Sequence, residues 1–238
     1  MTGINTKYRS DAPEMMDDFT LEGDQLKDAL DKIASINNLL GGNQLTLQGV
    51  LQLIANLPLE REITILDVGC GNGDMLRSLA DYAVAKKRNF KLIGMDANQY
   101  TVTYARRLSE KYPNISYVCE DIFSNSAADL PCDIVLCTLT LHHFKDTEIL
   151  KLLNIFRKKA STGIVINDLQ RSIIAYWLFK GLSNILGMNS MTVNDGLVSI
   201  LRGFKKHELA RYSELLEFKK YKIRWKWAFR YQWIISTI

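Results

Sequence analysis

The chain has 238 residues, enough for one domain with a sizeable core or for a core domain with a cap. Hydrophobic residues make up 47% and charged residues 24%, which is the composition of an ordinary soluble globular protein. The net charge of +4 permits nucleic-acid binding but does not argue for it, and no segment reaches the length of a membrane span.

The four cysteines, Cys70, Cys119, Cys132 and Cys137, show no C-x-x-C spacing, and three of them fall in or beside apolar runs. We therefore expect buried, reduced thiols, a reducing compartment and no metal site. Residues 1–18 are polar and acidic, without the apolar region of a secretory signal. Together these features predict a cytoplasmic protein.

The first 60 residues are predicted to form a helical N-terminal leader or cap. Residues 1–18 suggest an extended or partly ordered arm. Apolar residues recur at helical spacing over 24–40, and a second helix is expected over 45–57, ended by Pro58. Gly41 and Gly42 indicate a stop between the two helices.

From residue 63 onward, apolar strands alternate with amphipathic helices. Strands are predicted at 63–68, 91–96, 115–119, 133–139 and 161–167, and helices at 74–87, 98–112 and 146–159. This alternation predicts βαβ units and a parallel sheet, that is, an α/β fold. Because the strands are almost continuously apolar, we expect helices on both of their faces.

The rhythm changes after Asp168. Residues 173–188 are rich in large apolar groups, 188–196 have the composition of a loop, and 205–216 suggest a further helix. We expect 170–204 to form a lid-like helical insertion over the substrate. From 220 to 233, apolar and polar residues alternate strictly, which predicts a hairpin turning near 226–228 with its odd-numbered residues buried and its even-numbered residues solvated.

The segment 63–74 reads ITILDVGCGNGD, in which a strand ends in an acid and three glycines then alternate. The spacing D-x-G-x-G-x-G differs from the G-x-G-x-x-G fingerprint of dinucleotide-binding domains, so NAD binding is disfavoured. The segment resembles motif I of class I S-adenosylmethionine (SAM) methyltransferases. That resemblance implies a Rossmann-like seven-stranded sheet with a C-terminal antiparallel hairpin over residues 61–238, and SAM as the cofactor.

Acids at successive strand ends extend the resemblance. Asp96 lies 23 residues beyond Gly73, where an acid that binds ribose hydroxyls belongs. Asp67 resembles the acid that orients the methionine amino group, and Asp121 and Ile122 resemble the pair that binds adenine. The implied cofactor-binding set is Asp67, Gly69, Cys70, Gly71, Gly73, Asp96, Ala97, Asp121, Ile122, Cys137 and Thr138.

The fourth strand runs into the segment CTLTLHHF at 137–144, and its histidines are the candidate catalytic residues. A phenol or enol acceptor must lose a proton, and His142 or His143 can take it near neutral pH. The alternative is that one of them only anchors the loop. His207, in a charged helical stretch, is expected at the surface.

The chain has no Asn/Asp-Pro-Pro-Tyr/Phe tetrapeptide, which argues against DNA or glutamine N-methylation. The segment is more similar to small-molecule O- and C-methyltransferases, including those of quinone biosynthesis, so a small apolar phenolic, quinone-like or polyketide substrate is expected. A catalytically silent SAM-binding protein and an RNA methyltransferase are the alternatives. Nucleic acid is an unlikely partner on this interpretation, and a monomer or a homodimer is expected.

The segments YRSDAPEMMDD at 8–18, INNLLGG at 36–42 and INDLQRS at 166–172 resemble a bacterial subgroup associated with polyketide or phenolic-lipid pathways. For the second segment, the resemblance implies an arginine that contacts the carboxylate of SAM. This chain has Asn37 and Asn38 there, so that contact is not carried over.

Overall fold

The computed structural model describes residues 4–124 and 131–237. Its long helices are α1 Asp24–Leu39, α2 Gly42–Leu53, α3 Asp74–Lys86, α4 Gln99–Leu108, α5 Asp146–Lys159, α6 Ile173–Ile185, α7 Ser190–Arg202 and α8 Lys206–Leu215. Its strands are β1 Glu62–Val68, β2 Asn89–Asp96, β3 Ile115–Cys119, β4 Cys132–Thr138, β5 Ala160–Leu169, β6 Lys220–Lys226 and β7 Arg230–Ser236. Short 3-10 turns occur at Met15–Asp17 and Leu141–His143.

The strands form one seven-stranded sheet in the order β3-β2-β1-β4-β5-β7-β6. Strands β1 to β5 are parallel, and β7 is antiparallel to both β5 and β6. The chain moves outward from β1 through β2 to β3, and then returns to β4 on the other side of β1. The gap between the carboxyl ends of β1 and β4 is therefore the switch point at which open α/β sheets bind ligands.

Helices cover both faces of the sheet, as the apolar strands predicted. Along β1, Ile63 and Ile65 pack into the core formed with α2, α3 and α4, while Leu66 and Val68 pack into the core formed with α5 and α8. Successive strand side chains point to opposite faces, so a strand buried on both sides must be apolar at almost every position. The predicted α/β, Rossmann-like fold with its antiparallel C-terminal hairpin is confirmed.

Two expectations about the C-terminal part were wrong. Residues 190–202, within and beyond the predicted loop, form the helix α7, because the Asn189 side chain accepts from the backbone N–H of Thr192 and caps the helix. The even-numbered residues Arg230 and Gln232 are buried rather than solvated. They lie on β7, which is flanked by β5 and β6, whereas the alternation describes the edge strand β6 as far as Arg224. The odd-numbered Trp225 and Trp227, expected to be buried, are 51% and 69% exposed.

The N-terminal leader begins with an arm that is tied to the body of the protein. The guanidinium of Arg171 donates to the carbonyls of Thr6 and Lys7, and that of Arg9 donates to the carbonyls of His142 and Phe144. The helices α1 and α2 follow, joined at Gly41, whose φ of 75° makes a tight corner. None of the helices in the described ranges combines the length and apolarity needed to cross a membrane.

Candidate active site

The glycine turn, residues 69–73, links β1 to α3 at the switch point. Gly69, Gly71 and Gly73 have φ of 70°, 54° and 77°, a region of backbone conformation that is costly for residues with a side chain. The backbone N–H groups of Gly69 and Cys70 donate to the carbonyl oxygen of Met95 at 2.8 and 3.1 Å. These bonds fix the turn against the end of β2, where a ligand can approach its backbone closely.

Replacing Gly73 with alanine should lower the free energy of unfolding by about 2–4 kcal/mol, because the new methyl adds left-handed strain and overlaps Tyr117. Tyr117 is buried and its hydroxyl is 2.7 Å from that of Ser109, so it has little room to move. Gly187→Ala is the matched control, because Gly187 also has positive φ (58°) but open space around it. Urea unfolding should show a loss of about 1 kcal/mol for the control; equal losses would contradict the overlap.

Asp96, at the end of β2, has both carboxylate oxygens engaged by backbone. Gly71 N–H donates to Oδ2 at 3.1 Å, and Asn98 N–H donates to Oδ1 at 3.0 Å. Burial raises the pKa of Asp96, while these two N–H groups oppose that rise. The carboxylate is thus held in a fixed orientation beside the glycine turn, and its remaining lone pairs are free to accept from a diol.

Asp67, at the end of β1, is a buried acid with an unsatisfied oxygen. Its Oδ1 has no hydrogen-bond partner among the described residues. Burial raises its pKa well above the ordinary value, and the nearby Asp74 and Asp96 raise it further. Three acids lie close together around one turn. A positively charged ligand would stabilise the ionised form of all three, so this turn favours such a ligand.

The histidines lie at the C-terminal side of β4, each paired with an acid. His142 is buried, its Nδ1 is 2.7 Å from Asp168 Oδ1, and its backbone N–H donates to Asp168 Oδ2 at 3.2 Å. His142 Nε2 has no hydrogen-bond partner among the described residues. His143 is partly exposed, and its Nδ1 is 2.7 Å from Asp17 Oδ1. The two rings are in contact, with centroids 4.3 Å apart.

Glu14, from the N-terminal arm, completes this cluster. Its Oε1 is 3.9 Å from His142 Nε2, and its Oε2 is 3.9 Å from His143 Nδ1. One atom from each of these three residues would be close enough for a metal ion, since all lie within 4.8 Å of one another. Glu14 already accepts from Arg202 at 3.2 Å and Ser199 at 2.7 Å, however. The charge of Arg202 beside it opposes a divalent cation.

A single cavity of about 1020 Å³ brings these groups together. Nearly all of the predicted site residues line it: Asp67, Gly69, Cys70, Gly71, Asp96, Ala97, Asp121, Ile122, Thr138, His142 and His143. Gly73 and Cys137 lie outside its wall. Gly73 faces Tyr117, and Cys137 is fully buried in the core between the sheet and α5. We therefore expect them to support the cofactor site without contacting the cofactor: Gly73 shapes the turn, and Cys137 shapes the strand.

Asp121 lies at the exposed edge of this cavity. Its Oδ1 accepts from the backbone N–H of Phe123 at 2.9 Å, so it also stabilises its own turn. Ile122 is buried beside it. The residues at 125–130, which follow this turn, lie outside the described part of the chain.

The comparison with protein families adds independent evidence. Residues 65–163 match the family model described as a methyltransferase domain, and this range contains the glycine turn, Asp96 and both histidines. The chain contains a methyltransferase domain over residues 65–163. The resemblance predicted from motif I is therefore confirmed. Among curated protein sequences, none matches the chain significantly.

Solved structures share the fold of this methyltransferase domain. The plantazolicin methyltransferase BpumL in complex with SAH is 18% identical, with a TM-score of 0.66, over 89% of this chain and 95% of that chain. The magnesium protoporphyrin IX methyltransferase ChlM from Synechocystis PCC 6803 with bound SAM is 15% identical, with a TM-score of 0.55, over 85% and 82%. The CurJ carbon methyltransferase is 13% identical, with a TM-score of 0.60, over 81% and 54%.

The sequence interpretation missed three acids of this methyltransferase site. Asp168 is the penultimate residue of β5, and its position near a strand end is a usable signal. Glu14 and Asp17 lie in the segment 8–18, and no sequence pattern pairs them with the histidines, because more than 120 residues separate these groups. The arm is held there by Arg202, which donates to Glu14 and, at 2.7 Å, to Asp17.

The stability of the methyltransferase domain should depend on pH through the buried pair His142–Asp168. Burial lowers the pKa of His142, but Asp168 raises it more, so the net shift is above the ordinary 6.5. Burial raises the pKa of Asp168, but His142 brings it below 3.8. The contribution of His142 to the free energy of unfolding is complete below pH 6.5 and is lost as the pH rises through the folded-state pKa. The free energy of unfolding, measured with urea at pH 6 and at pH 9, should fall more between these two pH values for the parent than for His142→Gln.

Proposed function

We propose that the chain binds SAM in this cavity and transfers its methyl group to an oxygen or carbon of a small, apolar acceptor, of the phenolic, quinone-like or polyketide type. One observation carries the proposal. The glycine turn with its acids and the paired histidines, which the sequence suggested for cofactor and chemistry respectively, line the same cavity. The class I methyltransferase domain makes SAM the cofactor to test.

The cofactor end of the cavity fits the charge and shape of SAM. Asp67 supplies an unsatisfied buried oxygen for the amino group, and Asp96 presents a fixed carboxylate for the two ribose hydroxyls. Asp121 and the backbone N–H of Ile122 are proposed to bind adenine at the outer edge. The solved structures of BpumL and ChlM contain SAH and SAM, respectively, which supports this assignment.

The proposed chemistry is an in-line displacement at the methyl group. The acceptor oxygen or carbon forms the new bond, the bond from sulfur to methyl breaks, and its electron pair stays on sulfur to give SAH. The acceptor's proton goes to a histidine, for which His142 is the better placed of the two, because its Nε2 has no hydrogen-bond partner among the described residues while Asp168 holds its Nδ1. Asp168 then stabilises the imidazolium that forms.

The acceptor end of the cavity is apolar. Helix α6 lines it with Trp177, Leu178, Phe179, Leu182 and Ile185, and Trp227 and Phe229 come from the hairpin turn. Trp177 and Trp227 are 55% and 69% exposed although they line the cavity, so they lie at its mouth. We propose that 170–204 act as a lid and that residues 1–60 act as a cap over a methyltransferase domain spanning 61–238.

An acceptor screen with methyl-labelled SAM tests this function. The probes are a catechol, an alkylresorcinol, a hydroquinone and a β-ketoacyl thioester, with bulk RNA as the comparison. Labelled product from at least one small probe is expected, and mass spectrometry then locates the methyl group. None of the exposed basic side chains on β6 lines the cavity, so RNA should remain unlabelled. SAM binding without transfer to any probe would favour the catalytically silent alternative.

A further inference from the structure

Arg230, the first residue of β7, is a buried cation without an acidic partner. It is 3% exposed and lines the cavity. Its Nη1 donates to Asn37 Oδ1 at 2.5 Å, and its Nε has no hydrogen-bond partner among the described residues. Within residues 4–124 and 131–237, no carboxylate lies at ion-pair distance from its guanidinium.

This arrangement is unfavourable unless a ligand completes it. Burial lowers the pKa of Arg230 to about 10, which still leaves the guanidinium charged at neutral pH. Burying an unpaired charge is unfavourable, and a neutral amide such as Asn37 offsets only part of that cost. The missing partner is therefore an anion, and the planar guanidinium favours a carboxylate or a phosphate.

The N-terminus of α2 is adjacent to the same guanidinium. Gly41 is in the left-handed conformation and provides no side-chain cap for the first N–H groups of this helix. A Cβ at Gly42 would overlap both Asn37 and Arg230, so the helix starts in direct contact with them. An uncapped helix N-terminus carries a partial positive charge and favours an anion, as Arg230 does.

A chain of hydrogen bonds links Arg230 to the glycine turn. Asn37 Nδ2 donates to Asn43 Oδ1 at 2.6 Å, and Asn43 Nδ2 donates to Asp74 Oδ2 at 2.9 Å. Asp74, the first residue of α3, acts electrostatically on Asp67, and both Asp168 and Asp74 act on Arg230. The buried cation Arg230 and the unsatisfied acid Asp67 line the same cavity, and the chain through Asn37, Asn43 and Asp74 lies between them. That pairing matches the two charges of an α-amino acid.

We propose that Arg230, with the N-terminus of α2 beside it, binds the carboxylate at the amino-acid end of the cofactor. This inference rests on the proposed SAM binding. Asn37 orients the guanidinium of Arg230 by accepting from its Nη1. A carboxylate on the acceptor has the same chemistry, but the hydrogen-bond chain from Arg230 to Asp74, beside Asp67, favours the cofactor's amino-acid end.

Calorimetric titration with SAM and with decarboxylated SAM, which lacks only the carboxylate, tests this assignment. The parent should bind SAM about 10- to 100-fold more tightly, the range of a charge-assisted hydrogen bond. Arg230→Gln should lose that preference by weakening SAM alone. Asp67→Asn is the comparison variant: it should weaken both ligands, since both keep the amino group.

The outcomes separate this inference from the proposed function. If the parent binds neither ligand, SAM binding itself is wrong. If the parent binds both equally, or if Arg230→Gln weakens both equally or neither, the cofactor stays but the role of Arg230 is refuted. Arg230→Gln with unchanged SAM affinity would point instead to an acceptor carboxylate. Should that variant not fold, the two ligands on the parent and Arg230→Lys, which keeps the charge, still decide the question.

Discussion

Replacing His142 with glutamine should lower the rate of methyl transfer about 10²- to 10⁴-fold, the usual contribution of a general base. Glutamine can still donate to Asp168, so the fold and the loop position should be kept. The affinity for SAM should change little, because the imidazole is proposed to act on the acceptor. Single-turnover transfer with labelled SAM and an acceptor from the screen measures the rate.

The pH dependence distinguishes a base from a scaffold. Asp168 raises the pKa of His142 above 6.5, and only the neutral imidazole accepts a proton, so the parent rate should rise with pH through that raised pKa. The residual rate of His142→Gln should lack this rise. His143→Gln is the control and should keep the parent's profile; if His143→Gln loses it instead, the partly exposed histidine is the base.

Replacing Asp96 with alanine should weaken SAM binding about 100-fold or more. The change removes the proposed acceptor for two ribose hydroxyls and leaves the N–H groups of Gly71 and Asn98 without their carboxylate. Calorimetry with SAH measures the effect. Asp121→Ala is the comparison, and its loss should be smaller, about 10-fold or less, because Asp121 is exposed and contributes one proposed bond.

A variant Asp96→Ala that binds SAH like the parent would contradict the assignment of the ribose site. Circular dichroism should accompany the titration, because Asp96 also fixes the glycine turn. Loss of binding together with loss of fold would assign Asp96 a structural role only.

The sheet and half of the site were predictable because their signals are local. A strand buried on both faces must be apolar, and the turn after β1 must contain glycine because its backbone is left-handed. Asp96 follows from its place at a strand end. Each of these features depends on residues that are close together in the sequence, so a local sequence pattern is enough to predict it.

The rest of the site depends on contacts that span the chain. Glu14 reaches His142 across 128 positions, and Arg230 reaches Asn37 across 193. No local pattern indicates such pairs, and Arg230 was even expected to be solvated from its alternation along the hairpin. The helix α7 was mistaken for a loop for a related reason: its polar residues serve as a cap and as contacts to the arm, as when Asp195 accepts from the backbone of Met15.

Calorimetric titration of the full chain with SAM tests the central claim most directly. The account predicts saturable binding with one site per chain, lost in Asp96→Ala and strongly reduced in Asp67→Asn. An absence of binding at millimolar SAM, or binding that both variants leave unchanged, would contradict the assignment of this cavity to the cofactor.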